Sequence, residues 1–142
     1  MRATLAATAA ILLLCAGVAF AAGEVRQSGT SSQRRPVALV ARTDVLSRYF
    51  ITWRARCPGT TYTGSSDLRR IPLRPDGSFR STLRYSHWVG RRRRAHISVT
   101  LSGSVNRAGT KASGVFGGSA RIDRLGKCRS GRITWKTRKN AD

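Results

Sequence analysis

The sequence predicts an all-β protein: a single antiparallel β-sandwich or barrel, closed by one disulfide, that follows an N-terminal signal peptide. Three observations carry this expectation. Apolar and polar residues alternate in several separate runs, turn-forming residues fall between the runs, and two cysteines remain once an apolar leader is set aside.

Residues 1–21 form the leader. Met1-Arg2 supplies a positive charge, residues 5–20 are apolar or small and uncharged, and Ala19-Phe20-Ala21 fits the small-x-small pattern of a secretory cleavage site. The apolar core falls short of the roughly 20 residues that span a bilayer, so the mature chain is expected to be secreted, extracellular or periplasmic, with no transmembrane segment. Leu12-Leu13-Leu14-Cys15 raises the alternative of a lipid anchor at Cys15. A lipidated cysteine normally follows a small residue, and Leu14 is not one, so Cys15 is assigned to the discarded peptide.

Residues 22–36 are rich in Gly, Ser and Gln, lack periodicity and end in Gln33-Arg34-Arg35-Pro36, the composition of a disordered basic arm. The domain proper then covers residues 37–142. Its first segment, 37–47, is ambiguous between a strand and a helical turn and is read as a short strand. From Tyr49 the period-two pattern takes over: Tyr49, Ile51, Trp53, Ala55 and Cys57 share one face, and Thr52, Arg54 and Arg56 the other.

The alternation recurs three times. Phe79, Ser81, Leu83 and Tyr85 alternate with Arg80, Thr82, Arg84 and Ser86; Ala95, Ile97, Val99 and Leu101 alternate with Arg94, His96, Ser98 and Thr100; Ile133 and Trp135 alternate with Arg132, Thr134 and Lys136. Trp53 and Trp135, flanked by Ile, are therefore core residues. Weaker strands are read at residues 60–63, 69–73 and 114–123, the last loosened by its glycines. Turns are read at Gly64-Ser65-Ser66-Asp67, Arg74-Pro75-Asp76-Gly77-Ser78 and Asn106-Arg107-Ala108-Gly109-Thr110.

Cys57 and Cys128 pair by default in an exported chain, closing a loop of roughly 70 residues worth about 4 kcal/mol on the chain-entropy account. Ile51-Thr52-Trp53-Arg54-Ala55 and Ile133-Thr134-Trp135-Lys136-Thr137 are near copies, each with a cysteine close by. If those two strands lie side by side and antiparallel, the disulfide ties the first long strand to the last.

Trp53-Arg54-Ala55-Arg56-Cys57, Asp76-Gly77-Ser78-Phe79 and Cys128-Arg129-Ser130-Gly131-Arg132-Ile133-Thr134-Trp135 together resemble a recurrent pattern in small secreted all-β proteins of actinobacteria and related GC-rich bacteria. The resemblance covers roughly residues 49–138 and implies a signal peptide, a β-sandwich and one disulfide. It implies no function, and the run Arg91-Arg92-Arg93-Arg94 is no part of it.

Charge is the remaining signal. Lys and Arg number 27 against 6 Asp and Glu, a formal charge of +21 that becomes +20 when the leader takes Arg2 with it. The preference for Arg over Lys has two accounts, GC-rich codon usage and a functional demand for Arg, and codon usage does not account for the scarcity of acids. Such a surface attracts polyanions through counterion release, with affinity falling steeply in salt.

An enzyme has little to stand on. No carboxylate pair is spaced for acid and base work, and no nucleophile, phosphate-loop or metal motif occurs, so no metal and no cofactor is implied. A small basic nuclease built on His87 and His96 is the weakest reading, because His96 sits on a polar strand face. The expected activity is non-catalytic binding of an anionic extracellular partner: a cell-wall or surface polymer, nucleic acid or lipid headgroups. Its expected site is the loop between two alternating strands, where His87, Trp88, Arg91, Arg92, Arg93 and Arg94 would clamp anionic groups and Trp88 would offer a stacking face. The plain alternative is a solvated hairpin. A protein interaction or inhibitor module facing an acidic partner is the runner-up, and a monomer is expected in either case.

Overall fold

The computed structural model describes residues 23–142. The leader, its cleavage site and Cys15 lie outside the described residues. Within them the chain forms nine strands: β1 (Val25–Ser31), β2 (Pro36–Arg42), β3 (Val45–Cys57), β4 (Thr60–Pro72), β5 (Ser78–Val89), β6 (Arg93–Val105), β7 (Lys111–Ile122), β8 (Gly126–Arg129) and β9 (Ile133–Lys139).

All pairings are antiparallel. Hydrogen bonding runs from β3 through β2, β1, β9 and β7 to β8, and β8 returns to β3, so six strands close into a barrel. The ring leaves three strands outside it: β4 extends the sheet from β3, and β6 followed by β5 extends it from β7. The expected disulfide is present between Cys57 and Cys128, at the point where β8 meets β3.

The alternating residues form one buried core. Tyr49, Ile51 and Trp53 from β3, Phe79 from β5, Ile97, Val99 and Leu101 from β6, Phe116 from β7, and Ile133 and Trp135 from β9 are all buried. Two indoles dominate this core, and β7 makes room for them with Gly114 and Gly118. A Cβ at Gly118 would stand 2.8 Å from the Trp53 ring, and one at Gly114 the same distance from Cζ2 of Trp135. Gly114 and Gly118 thus serve packing, and the strand is continuous across them.

Residues 25–31 correct the expectation of a disordered arm, because they form β1 between β2 and β9. Its backbone is fully committed to two neighbours, so a strand with little apolar side chain is still held. Gln27 is buried, donating from Nε2 to the Gly109 carbonyl at 2.6 Å and accepting from the Thr137 hydroxyl at 2.8 Å. A polar residue taken as a sign of disorder is thereby a satisfied core residue.

The turn expected at 64–67 is also corrected, since β4 runs unbroken through it. Pairing with β3 overrides turn composition: Gly64 lies opposite Trp53 and underneath the Tyr62 ring, and the Ser66 hydroxyl accepts from Trp53 Nε1 at 3.0 Å. Segment 37–47 resolves into β2 and the start of β3, joined by a tight turn. An extra residue in β3, Ser47, shifts the register against β2 at Val40/Ala41 and faces Arg70 of β4 at φ 54°, which lets Leu46 and Tyr49, and Leu68 and Ile71, all point inward despite three-residue spacing.

The near-copied strands β3 and β9 are not neighbours, because β2 and β1 stand between them. They face each other across the lumen instead, where Tyr49 meets Trp135 edge-on with ring centroids 5.1 Å apart. The short strand β8 takes the place expected of β9 and carries Cys128 to β3.

Candidate anion-binding face

The hairpin that joins β5 to β6 turns through Gly90, Arg91 and Arg92, with Gly90 at φ 65°, and pairs Val89 with Arg93 and Trp88 with Arg94. Strand parity divides the expected clamp. Trp88 points outward, is 64% exposed and has Arg94 directly opposite, whereas His87 points to the other face. There its Nε2 lies 3.0 Å from the Tyr62 hydroxyl, and its ring stacks between Tyr62 and Tyr85, each centroid 6.1 Å away. His87 is therefore part of the seam between β4 and β5, and its inclusion with Trp88 in one clamp is corrected.

That seam is a polar chain leading into the core. Trp53 Nε1 donates to Ser66 Oγ, which donates to the Tyr85 hydroxyl at 2.8 Å, and Tyr85 donates to the Ser65 carbonyl at 3.0 Å. Burial pushes the Tyr62 phenol up to about 12, with Tyr85 adding to the shift, and burial also raises Tyr85 against the bond from Ser66. Both phenols stay neutral over the ordinary pH range and act in the seam as hydrogen-bonding groups.

The outward face has a different character. Register places Arg84, Ser98, Ser119, Arg129 and Arg56 in one row across β5, β6, β7, β8 and β3, and Ser86, His96, Arg121 and Lys127 in the next. Trp88 and Arg94 begin a third row at the hairpin end. Two pairs of like charge stand directly opposite one another: Arg56 with Arg129, and Arg121 with Lys127. Strands about 4.8 Å apart and same-face residues about 6.7 Å apart put these four cations within about 12 Å of each other.

Directly opposed like charges destabilise a sheet, by on the order of 0.5–1 kcal/mol for an exposed pair. No carboxylate relieves this. Among the described residues the ion pairs involve Glu24 with Arg26 and Arg42, Asp67 with Arg48 and Arg69, and Asp142 with Lys139, while Asp123 lies 3.9 Å from His96 Nε2. The two doubly bridged acids, Glu24 and Asp67, serve the strands β1 to β4. Arg42 and Arg26 hold Glu24 below the usual carboxylate range; burial raises Asp67, but Arg48 and Arg69 together bring it below.

Where β8 meets β3 the cationic face dips into a cleft of about 540 Å³ lined by Gln33, Arg54, Arg56, Thr61, Arg129 and the Ser130-Gly131 link. Gln33 keeps its floor in place. The edge of β3 pairs with β2 as far as Ile51 and with β8 at Arg56, and in the gap the Gln33 amide accepts from Arg54 N at 2.8 Å and donates to Arg54 O at 2.9 Å. A side chain thus completes the ladder, and the guanidinium groups of Arg54, Arg56 and Arg129 border one concave spot. Guanidinium forks suit phosphate, sulfate and carboxylate groups, which accept two parallel hydrogen bonds.

Sequence reasoning named Trp88 and Arg94, which register places on this face, but missed Arg54, Arg56, Arg121, Lys127 and Arg129; Arg93, opposite Val89, has the parity of His87, and Arg91 and Arg92 lie in the turn, so their inclusion in one clamp with Trp88 is corrected as well. Alternation had already put Arg54 and Arg56 on a polar face; their neighbours are set by barrel closure, which leaves no local signal. His96 lies on the outward face, 3.1 Å from Ser86 Oγ through Nδ1, on the side opposite His87. Among the described residues no three His, Cys, Asp or Glu side chains gather as for a metal, and no helix is long and apolar enough to cross a membrane. No family model matches the chain, and neither a curated protein nor a solved structure matches it.

Proposed function

We propose that the protein is exported and binds an extended anionic polymer without catalysis, along the outer face of β5, β6, β7, β8 and β3. The observation that carries this reading is the pair of directly opposed, unneutralised cation pairs, Arg56 with Arg129 and Arg121 with Lys127, beside the arginine-lined cleft. A bound anion turns their mutual repulsion into attraction. Trp88 and Arg94 extend the same face toward the hairpin and supply a ring for stacking or cation–π contact. The Cys57–Cys128 bond suits an oxidising compartment outside the cytoplasm.

The histidines favour binding over nuclease chemistry, because His87 and His96 lie on opposite faces of the sheet and share no space where one substrate would meet both. A salt titration against polyphosphate, a polyuronate, single-stranded DNA and one acidic protein tests the reading. Affinity for the polymers is expected to fall linearly on logarithmic axes, with a slope near −3 on single-stranded DNA if four phosphates are contacted. A stoichiometric, salt-insensitive complex with the acidic protein alone would replace this reading with an interaction module. Turnover of the DNA would contradict the absence of catalysis.

A further inference from the structure

We propose a second binding site, separate from the cationic face, in which a groove at the opposite end of β6 takes a hydroxyl-rich anionic polysaccharide of the polyuronate class. The groove has a volume of about 710 Å³, within the range of ligand pockets. Its floor crosses β1, β9, β7 and the end of β6, and Asp76 in the turn before β5 forms part of its wall. The hairpin tip at Arg93 and the groove at Val105 are 12 residues apart on one strand, about 40 Å at the usual strand rise.

Register fixes the chemistry of the floor. Thr30, Lys136, Ser113 and Ser104 form one row of outward, exposed side chains, a cation set among three hydroxyls. In the adjoining row Lys111 and Arg138 stand directly opposite one another, a third opposed pair of like charge. Arg107 adds a fourth cation from the turn after β6. None of Arg107, Lys111, Lys136 and Arg138 takes part in an ion pair among the described residues.

Two features select among anions. No aromatic side chain lines the groove, so bases gain nothing by stacking and nucleic acid would be held by charge alone. Asp76 is the one carboxylate in the lining, fixed by accepting from the Ser78 hydroxyl at 2.6 Å and from Ser78 N at 2.9 Å, and those bonds hold it below the usual carboxylate range. It stays ionised and accepts from ligand hydroxyls, so it favours an anion that carries hydroxyl donors beside its charges over one that carries charge alone. A chain of sugar rings, each with one carboxylate and several hydroxyls, meets all three requirements: carboxylates on the cations, hydroxyls on Thr30, Ser104 and Ser113, and a hydroxyl donor on Asp76.

Calorimetry on the mature chain separates this site from the cationic face. The probes are a short oligogalacturonide and a single-stranded oligodeoxynucleotide, at fixed salt. Replacing Arg107, Lys111, Lys136 and Arg138 together by Gln is expected to weaken the oligogalacturonide about tenfold or more and the oligonucleotide less than about threefold. The set Arg56, Arg121, Lys127 and Arg129 to Gln should do the reverse, and loss of that effect alone would overturn the face and leave the groove standing. A charge-conserving pair, Thr30→Val with Ser104→Ala, should weaken the oligogalacturonide about threefold through lost hydroxyl contacts and leave the oligonucleotide unchanged. Wild-type affinity for the oligogalacturonide in the groove variant, or equal losses for both probes, would overturn the proposal.

Discussion

Trp53→Ala is expected to cost about 3–5 kcal/mol, the most of any single indole, with Trp135→Ala close behind and Trp88→Ala within about 0.5 kcal/mol of wild type. The order follows from what each ring touches. Trp53 packs on Tyr62 at 5.6 Å and Phe116 at 5.8 Å between centroids, over Gly118, so its removal empties a site that has no nearby side chain to refill it. It also takes the Nε1 donor from buried Ser66. Trp135 is as deeply buried, but no described residue relies on its Nε1 for a hydrogen bond, so its truncation leaves no protein partner unpaired. Denaturant midpoints at constant slope give the ranking. A Trp88 variant as unstable as the Trp53 variant would contradict the strand parity on which both sites depend.

Removal of the disulfide is the other large effect. Replacing Cys57 and Cys128 by Ala should lower stability by about 4 kcal/mol, the entropy of a loop whose ends are 71 positions apart in the sequence. Local structure makes the bond matter further, because β8 has four residues and meets β3 through a single residue pair, Arg56 with Arg129. Without the disulfide this seam is the weakest closure of the barrel, and amide exchange is expected to rise first at β8. Binding of anionic polymers should fall with it, since Arg129 and Lys127 are held near Arg56 only while the seam is shut. An unchanged denaturation midpoint, or alkylation of either cysteine in the native protein, would contradict this account.

The strands with clean alternation were legible in the sequence because one buried face imposes period two on the residues themselves. That rule placed Tyr49, Ile51, Trp53, Ile97, Leu101 and Trp135 inside and Trp88 outside. It failed where the backbone rather than side-chain hydrophobicity holds the strand. Nothing in Gly29 or Gln27 announces that β2 and β9 flank them, and the turn-like Gly64-Ser65-Ser66-Asp67 is kept extended by its twelve-pair ladder with β3. His87 was misplaced for a related reason: the alternation that sets Trp88 outward sets its neighbour inward, and only the approach of β4 shows what it meets there.

The candidate face was legible only in part. Charge excess was plain, and the arginine run drew attention to the hairpin. The four cations that define the face come from β3, β7 and β8, and their meeting depends on a barrel closure between residues far apart in the chain. Cross-strand register is a tertiary property, so no window of sequence contains it.

The most direct test compares two variants of identical net charge on one polyanion across a salt series. One carries Arg56, Arg121, Lys127 and Arg129 as Gln; the other carries Arg42, Arg70, Arg74 and Arg124 as Gln, all exposed positions outside both sites. A local site predicts that the first set loses far more affinity than the second and reduces the salt slope by about 3 on single-stranded DNA, while the second changes it little. Equal losses and equal slopes from the two sets would show that binding is spread over the whole cationic surface, and would contradict a site on the strand that closes the barrel.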